Sequence, residues 1–502
     1  MTSPSLVRRG EARPSRGKTT ELIDIDGASL SCADIAALAD RRNGARLTAQ
    51  GRARAAASQR FAEEVAGARP VYGYSTGVGA NRGILVADLA AHARALLRSH
   101  ATAAGPPRQA RRVRAMLAVR LNQLAAGGSG VSAPVLDALE AMLAGDALPE
   151  VREHGSIGTA DLAALAVTAL TLSGQASSAI PLPESVTATV DFGPHDAVPF
   201  LSSNAATIAD AALACVELAS LMRAQVVIAG LTCSAVSGNP EAFAEAVERV
   251  TPFAGAQQVC RWMRALLTGS GAPARIQDPF GLRTLPQVLG PSLDALARLD
   301  EVIVRFANAP SENPVFLAPG GAAGPAGFAH HGGFHTAYLA LALDTALIAI
   351  AQSATLALAR TTMLADPEFT GLPPFLGDGA PGSSGVMMLE YVSASALADL
   401  RGAAPASLQT VVLSQGAEED ASFASLAARQ ALDAAQNLRV VQACELVAAV
   451  RALRSRGITP ASEQLGRALA ACAELPDSLA DRNLTADIEA AERILDALAE
   501  IL

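Results

Sequence analysis

The chain has 502 residues and a formal net charge of −9; half of it is hydrophobic and 17% is charged, which allows a large buried core and excludes global disorder. Aromatics make up only 4%, with one Trp and four Tyr, and with the acidic balance this excludes base-stacking and phosphate-tracking nucleic-acid binders. Lys18 is the single lysine among 39 Lys and Arg residues, so neither a buried Schiff-base lysine nor a phosphate-binding P-loop is available.

Residues 1–20 read as a mobile tail, and the charged stretch Met1 to Lys18 lacks the apolar core of a signal peptide. The alternation from Leu22 to Leu30 predicts a strand and turn, and helical periodicity then runs from Cys32 to about Gly67. A glycine-dense loop, Val71 to Gly83, precedes helices at 88–99 and 108–125. A second loop, Leu148 to Asp161, opens into an apolar helix at 161–172. Residues 174–200 carry Pro181, Pro183, Pro194 and Pro199 and are expected to hold short strands. Long helices follow at 205–229, 240–250, 256–268, 287–306 and 335–364, with more to Leu502, interrupted by Gly/Pro loops at 269–286, 309–334, 365–386 and 402–420.

The expected fold is mostly α: a long central helical bundle preceded by a loop-rich α region with minor β that carries active-site loops. The division is a tail at 1–20, a loop-bearing domain at 21–200 and a long-helix domain at 201–502. The apolar stretch Tyr338 to Leu358 contains Asp344 and Gln352 and reads as a buried helix, not a membrane span. Six cysteines (Cys32, Cys215, Cys233, Cys260, Cys444, Cys472) never fall in C-x-x-C spacing; they read as reduced, buried thiols of a cytoplasmic protein, and no metal site is expected.

Seven segments could carry chemistry, and each has a plainer alternative. V-Y-G-Y-S-T-G-V-G (Val71 to Gly79) offers the phenols of Tyr72 and Tyr74, or is a glycine turn with packed tyrosines. His100 ends the R-S-H run as a functional or a hydrogen-bonded structural histidine. E-H-G-S-I-G-T-A-D-L-A-A-L-A (Glu153 to Ala166) presents a helix N-terminus to an electron-rich ligand, or is a helix capped by Thr159. Asn204 opens a long helix, as a site residue or an N-cap. Arg283, beside Gln277 in a Pro/Gly loop, suits bidentate capture of a carboxylate. G-G-F-H (Gly332 to His335) and E-E-D (Glu418 to Asp420) complete the set, the latter also reading as a solvated turn.

Together, in this order, these segments resemble the histidine and aromatic amino acid ammonia-lyase family, which includes aminomutases. Its Y-G-V-N-T-G-F-G loop is matched at Tyr72 to Gly79, and its S-H element at Ser99-His100. V-R-A-M-L-A-V-R-L-N-Q-L-A-A-G-G-S-G-V (Val113 to Val131), Q-D-P-F-G-L-R-T-L-P-Q (Gln277 to Gln287), G-G-F-H and E-E-D match further motifs, so the likeness covers about residues 22–430.

The resemblance implies a mostly α homotetramer whose active sites draw loops from three subunits, or an assembly in which such a site is shared with a paralogue. It implies a small-molecule amino acid or carboxylate substrate and β-proton abstraction with C–N cleavage, with no nucleic acid or membrane partner. Carried over by position, Tyr72 is the base, Arg283 holds the carboxylate, and Asn204 and Gln277 orient the electrophile or substrate. Phe280 and Phe334 pack there, and His100 with Glu419 favours a histidine-like side chain. Family members build a methylidene-imidazolone electrophile from Ala-Ser-Gly at a helix N-terminus.

The family's G-S-V-G-A-S-G-D-L reads G-S-I-G-T-A-D-L at Gly155 to Leu162. The three cofactor-forming residues become Thr159 and Ala160, so the methylidene group is not formable from Thr159-Ala160-Asp161. Phe280 stands for a tyrosine, Gly333 for an asparagine, Ala421 for a histidine, and Tyr74 for a small or polar residue. Three expectations stay open: an ammonia-lyase or aminomutase, cofactor-free chemistry on a carboxylate substrate, and a non-catalytic binding or partner subunit.

Overall fold

A computed structural model describes residues 21–319 and 326–502; the predicted tail at 1–20 lies outside them. The chain opens with β1 (Leu22–Ile25), α1 (Cys32–Ala39), β2 (Gly44–Leu47) and α2 (Ala49–Ala68), with β1 and β2 paired in parallel. The single helix predicted over 32–67 is therefore two. Arg41 adopts a left-handed φ of +58° and an Asn43-Gly44 turn follows it, which ends α1 and lets β2 return to β1. Ser31 and Asp34 form a capping box on α1, and Thr48 caps α2.

Next come α3 (Leu89–His100), β3 (Ala104–Pro107), α4 (Ala110–Ala126), α5 (Ala133–Gly145), β4 (Arg152–His154) and α6 (Leu162–Leu172), with β3 and β4 antiparallel. Pro134 in the first turn of α5, a helix not foreseen, marks where it starts. The strands expected in 174–200 are absent. That segment folds as two short helices, α7 (Glu184–Thr187) and α8 (Ala197–Leu201), with one isolated bridge from Ser178 to Pro149. Four prolines withhold the N–H groups a strand ladder needs.

The bundle is built from α9 (Ala205–Ala235), α10 (Glu245–Val250), α11 (Ala254–Leu266), α12 (Phe280–Arg283) and α13 (Leu285–Ala307). After the antiparallel pair β5 (Val315–Leu317) and β6 (Gly327–Ala329) come α14 (Ala337–Ala365), α15 (Pro367–Thr370) and α16 (Met387–Gly402). The chain ends with α17 (Ala424–Ser455), α18 (Glu463–Ala471) and α19 (Thr485–Ala499). The long helix α9 is apolar on every side and packs on α4, α13, α17 and α19, while α17 also covers α14 and α16. By length and composition α9 and α14 could cross a membrane, but most of each apolar window is buried in the bundle. All six cysteines are buried and unpaired.

Two fully buried ion pairs lock the core. Arg120 Nη1 lies 2.6 Å from Glu312, and Arg360 grips both oxygens of Glu445 at 2.6 and 2.7 Å. Helices α9, α14 and α17 all start at one end of the bundle and finish at the other. That shared direction puts several N-termini at one place.

Candidate active site

Four helices, α6, α9, α14 and α17, begin around the loop at residues 156–161, and their positive dipole ends converge there. The N-cap residues of these helices, Asp161, Asn204, Thr336 and Phe423, make no side-chain cap to their own first turns. Asn204, before α9, accepts the Ala160 N–H on Oδ1 at 3.1 Å and donates Nδ2 to the Phe334 carbonyl. Thr336, before α14, and Ser422 both donate their hydroxyls to the Gly158 carbonyl, at 3.2 and 2.9 Å. Phe423, before α17, donates its N–H to Ile157 O at 2.8 Å. The buried Asp161 carboxylate accepts from Thr207 N–H and Oγ1 at 2.8 and 2.9 Å. Burial pushes its pKa above the usual carboxylate range, against the pull of Ser156, Arg108 and Thr207.

Above the loop lies a cavity of about 610 Å³ lined by Tyr72, His100, Thr159, Ala160, Phe334 and Glu419, among others. Burial raises the Tyr72 phenol above its ordinary pKa and nearby Glu418 adds to this, while a Gly79 N–H donated to its oxygen at 2.8 Å works the other way. His100 Nδ1 sits 2.9 Å from the Leu96 carbonyl. A carbonyl can only accept, so the neutral ring carries its proton on Nδ1 and leaves Nε2 as an acceptor. Glu419 is a second acceptor on the same cavity, so a ligand group held by both must donate hydrogen bonds.

The structure thus gathers Tyr72, His100, Thr159, Ala160, Phe334 and Glu419 at one cavity, with Asn204 directly behind. It places Gln277, Phe280 and Arg283 elsewhere, in and just before α12. There Arg283 Nη1 donates to Gln277 Oε1 at 2.6 Å and its guanidinium lies over the exposed Phe280 ring at 4.8 Å. Arg360, near the end of α14, holds this segment through Gly281 O at 3.0 Å. From the start of α14 to Arg360 is about 35 Å at 1.5 Å per helical residue, so one chain does not bring Arg283 to its own cavity.

Arg82 and Ser414 also line the cavity and were not singled out from sequence, while His335, Glu418 and Asp420 line it from the G-G-F-H and E-E-D segments, with His335 Nε2 at 3.3 Å from Asp420. Ser414 Oγ accepts the Ala80 N–H at 2.9 Å and docks one lip of the cavity on the other. His330 Nε2 accepts the Tyr72 N–H at 3.2 Å. Each lies next to a recognised motif, which is the only signal the sequence offered. Among the described residues no His/Cys/Asp/Glu group is arranged to hold a metal ion.

A profile of the family described as aromatic amino acid lyase matches residues 30–474. The chain is 34% identical over 500 residues to a histidine ammonia-lyase of Sorangium cellulosum, covering 95% of this chain and 97% of that protein. A histidine ammonia-lyase of Geobacillus thermodenitrificans is 33% identical, over 86% of this chain and 88% of its own length. Among solved structures, tyrosine aminomutase from Streptomyces globisporus superposes with a TM-score of 0.86 at 25% identity, covering 95% of this chain and 97% of that one. The ergothioneine-degrading enzyme ergothionase of Treponema denticola shares the fold at a TM-score of 0.87 and 24% identity, over 96% of this chain and all of the other.

Proposed function

The chain belongs to the aromatic amino acid lyase family of carbon–nitrogen lyases, and from that premise we propose that it works on an L-α-amino acid as an ammonia-lyase or aminomutase. The observation that carries this is the cavity in which the Tyr72 phenol, His100 and Glu419 face the Thr159–Ala160 loop at the junction of four helix N-termini. Tyr72 removes the β-proton, and its buried, protonated resting state makes it equally suited to return one. The acceptors His100 Nε2 and Glu419 select a side chain that donates hydrogen bonds, such as an imidazole or a phenol, over a bare phenyl ring, which would leave both unpaired. Phe334 supplies the apolar wall, and Asn204 fixes the loop.

Arg283 binds the substrate carboxylate, with Gln277 and Phe280 beside it, and it does so in the cavity of a neighbouring copy. The roughly 35 Å of α14 between the cavity end of the bundle and Arg360, which holds the Arg283 segment, supports this reading. The assembly is a homotetramer in the cytoplasm, with sites shared between subunits.

The family's methylidene-imidazolone, where it forms, supplies an electrophile for the substrate amine. The residues here do not fit it. Ala160, in the middle of Thr159–Ala160–Asp161, has no hydroxyl to lose, and Asp161 uses its carboxylate to hold Thr207. That misfit favours a second reading, in which the same cavity works without the group on a substrate with a more acidic proton or a better leaving group.

Assays of ammonia release and amino-group migration from L-histidine, L-tyrosine and L-phenylalanine test the proposal, with Tyr72→Phe as control. Turnover lost in the variant while the assembly persists is the expected result. No turnover of any of these amino acids would remove the lyase reading.

A further inference from the structure

With no covalent partner for it at residues 159–161, the nitrogen of a substrate needs another hold, and the cavity wall supplies one at His335. The Nε2 atom of this ring is closed to solvent and lies 3.3 Å from Asp420 Oδ2, off the line of a formed hydrogen bond. Hydrogen bonds at catalytic sites are often long until substrate binds. The other Asp420 oxygen accepts the Ala421 N–H at 2.9 Å, which turns Oδ2 toward the ring. A carboxylate only accepts, so the neutral ring carries its proton on Nε2 and keeps a lone pair on Nδ1. Nδ1 makes no hydrogen bond among the described residues. With Nε2 sealed, it lies on the accessible part of the ring, which lines the cavity.

The ring is fixed from both sides along the chain. Its own N–H donates to the Gly332 carbonyl at 2.9 Å. The preceding carbonyl, Phe334 O, accepts Asn204 Nδ2, and the next hydroxyl, Thr336 Oγ1, reaches the Gly158 carbonyl at 3.2 Å. Thr336 also meets Ser422, two residues beyond Asp420, at 3.0 Å. The two segments are therefore clasped twice, once in the core by two hydroxyls and once at the cavity by His335 and Asp420. The other cavity histidine, His100, has Nδ1 committed to the Leu96 carbonyl, so its free acceptor is Nε2. The charge of the wall agrees. Glu418, Glu419 and Asp420 line the cavity against Arg82, the single Lys or Arg there among the described residues, a balance that draws in a positive group.

We propose that His335 Nδ1, with its tautomer set by Asp420, is the acceptor that holds the substrate's amino group as an ammonium. The inference rests on the proposed lyase reading for the class of substrate. Held this way, the nitrogen needs neither an electrophile nor a proton from the protein. The Tyr72 phenolate takes the β-proton, the C–H electron pair becomes the Cα=Cβ bond, and the C–N pair passes to nitrogen. Ammonia then leaves with the three hydrogens it brought, and His335 gains and loses no proton. His335 binds the substrate directly, and Asp420 is a positioning residue that acts through it.

The test compares L-histidine, L-tyrosine and L-phenylalanine each with its deamino analogue, the same acid lacking only the amine. Binding is measured by calorimetry on the full assembly in a Tyr72→Phe background, which leaves the amino acids intact. His335→Leu should weaken the amino acid roughly 10- to 150-fold, the weight of a charged hydrogen bond, and leave the deamino acid unchanged. His335→Gln, whose amide oxygen also accepts, should recover part of that loss. Asp420→Asn, on a carboxylate that is 74% exposed, should weaken the amino acid alone by a smaller factor, and it decides the matter should His335→Leu fail to fold. Equal weakening of both ligands, or of neither, overturns the inference. Selective loss in a protein whose Tyr72 form releases no ammonia would keep the nitrogen-binding role and overturn the lyase. Ammonia release with no selective loss would do the reverse, and binding of none of these ligands would overturn both.

Discussion

Gly79 donates its N–H to the Tyr72 phenol oxygen at 2.8 Å, seven residues along the same glycine-rich loop, so the turn that shapes the loop also aims the phenol. Burial and Glu418 raise the Tyr72 pKa, and this single backbone donor opposes them. The free protein therefore carries the neutral phenol at neutral pH, and the competent base fraction grows as pH rises. With Tyr72 as base, kcat/KM should climb from neutrality into the alkaline range, and a flat profile there would remove it from that role. Tyr72→Phe should lower kcat by about 10²–10⁴-fold, the usual weight of a positioned base, with little change in substrate affinity.

Arg283 and Tyr72 lie toward opposite ends of the helical bundle yet are proposed to serve one substrate. Each of Tyr72→Phe and Arg283→Ala should be strongly impaired alone, the latter through an affinity loss of about 1.5–3 kcal/mol for a charged hydrogen bond. Mixed heteromers made by co-expression contain some cavities with both native residues and should recover activity. Heteromers as inactive as either parent would mean that Arg283 does not reach a neighbour's cavity.

The long helices α9 and α14 were legible because each is an apolar run of many turns with no internal proline, and many cavity residues because they sit in motifs with their own turn chemistry. Two kinds of feature were not. The break between α1 and α2 depends on Arg41 taking a left-handed conformation, which local propensity disfavours and the β1–β2 pairing enforces. The strands β3 to β6 are three or four residues long, too short for alternation to register against helical surroundings. At the site, Ser422 and Thr336 gained meaning only from meeting at the Gly158 carbonyl, from segments 178 and 264 residues away. No sequence pattern encodes that meeting.

His330 gives the cavity loop an acid sensitivity. Its Nε2 accepts the Tyr72 N–H, which requires the unprotonated ring, and burial holds its pKa below the ordinary histidine value, helped by Arg69 and His331. Above about pH 6.5 the ring is neutral in both folded and unfolded chains and its contribution is complete. As pH falls, the unfolded chain takes the proton first, so stability is lost progressively down through the folded-state pKa. The difference in unfolding free energy between wild type and His330→Gln should therefore shrink or reverse as pH drops below that range. A difference independent of pH would show that His330 does not titrate on unfolding.

Arg360 joins the far loop to the core. It spends Nε and Nη2 on Glu445 and Nη1 on Gly281 O, all without exposure, while Thr232 Oγ1 adds a bond to Glu445 at 2.8 Å. Removing one partner strands a buried charge, so Glu445→Leu should destabilise the chain by about 3–5 kcal/mol in urea unfolding. Arg360→Met should cost a similar amount and also loosen the α12 segment that carries Arg283, raising KM more than it lowers kcat. The double variant removes both charges, and it should be more stable than the sum of the single losses predicts, because neither charge remains unpaired. Strict additivity would mean that the two side chains contribute to stability through packing alone, and that Arg360 does not hold the loop by way of its ion pair.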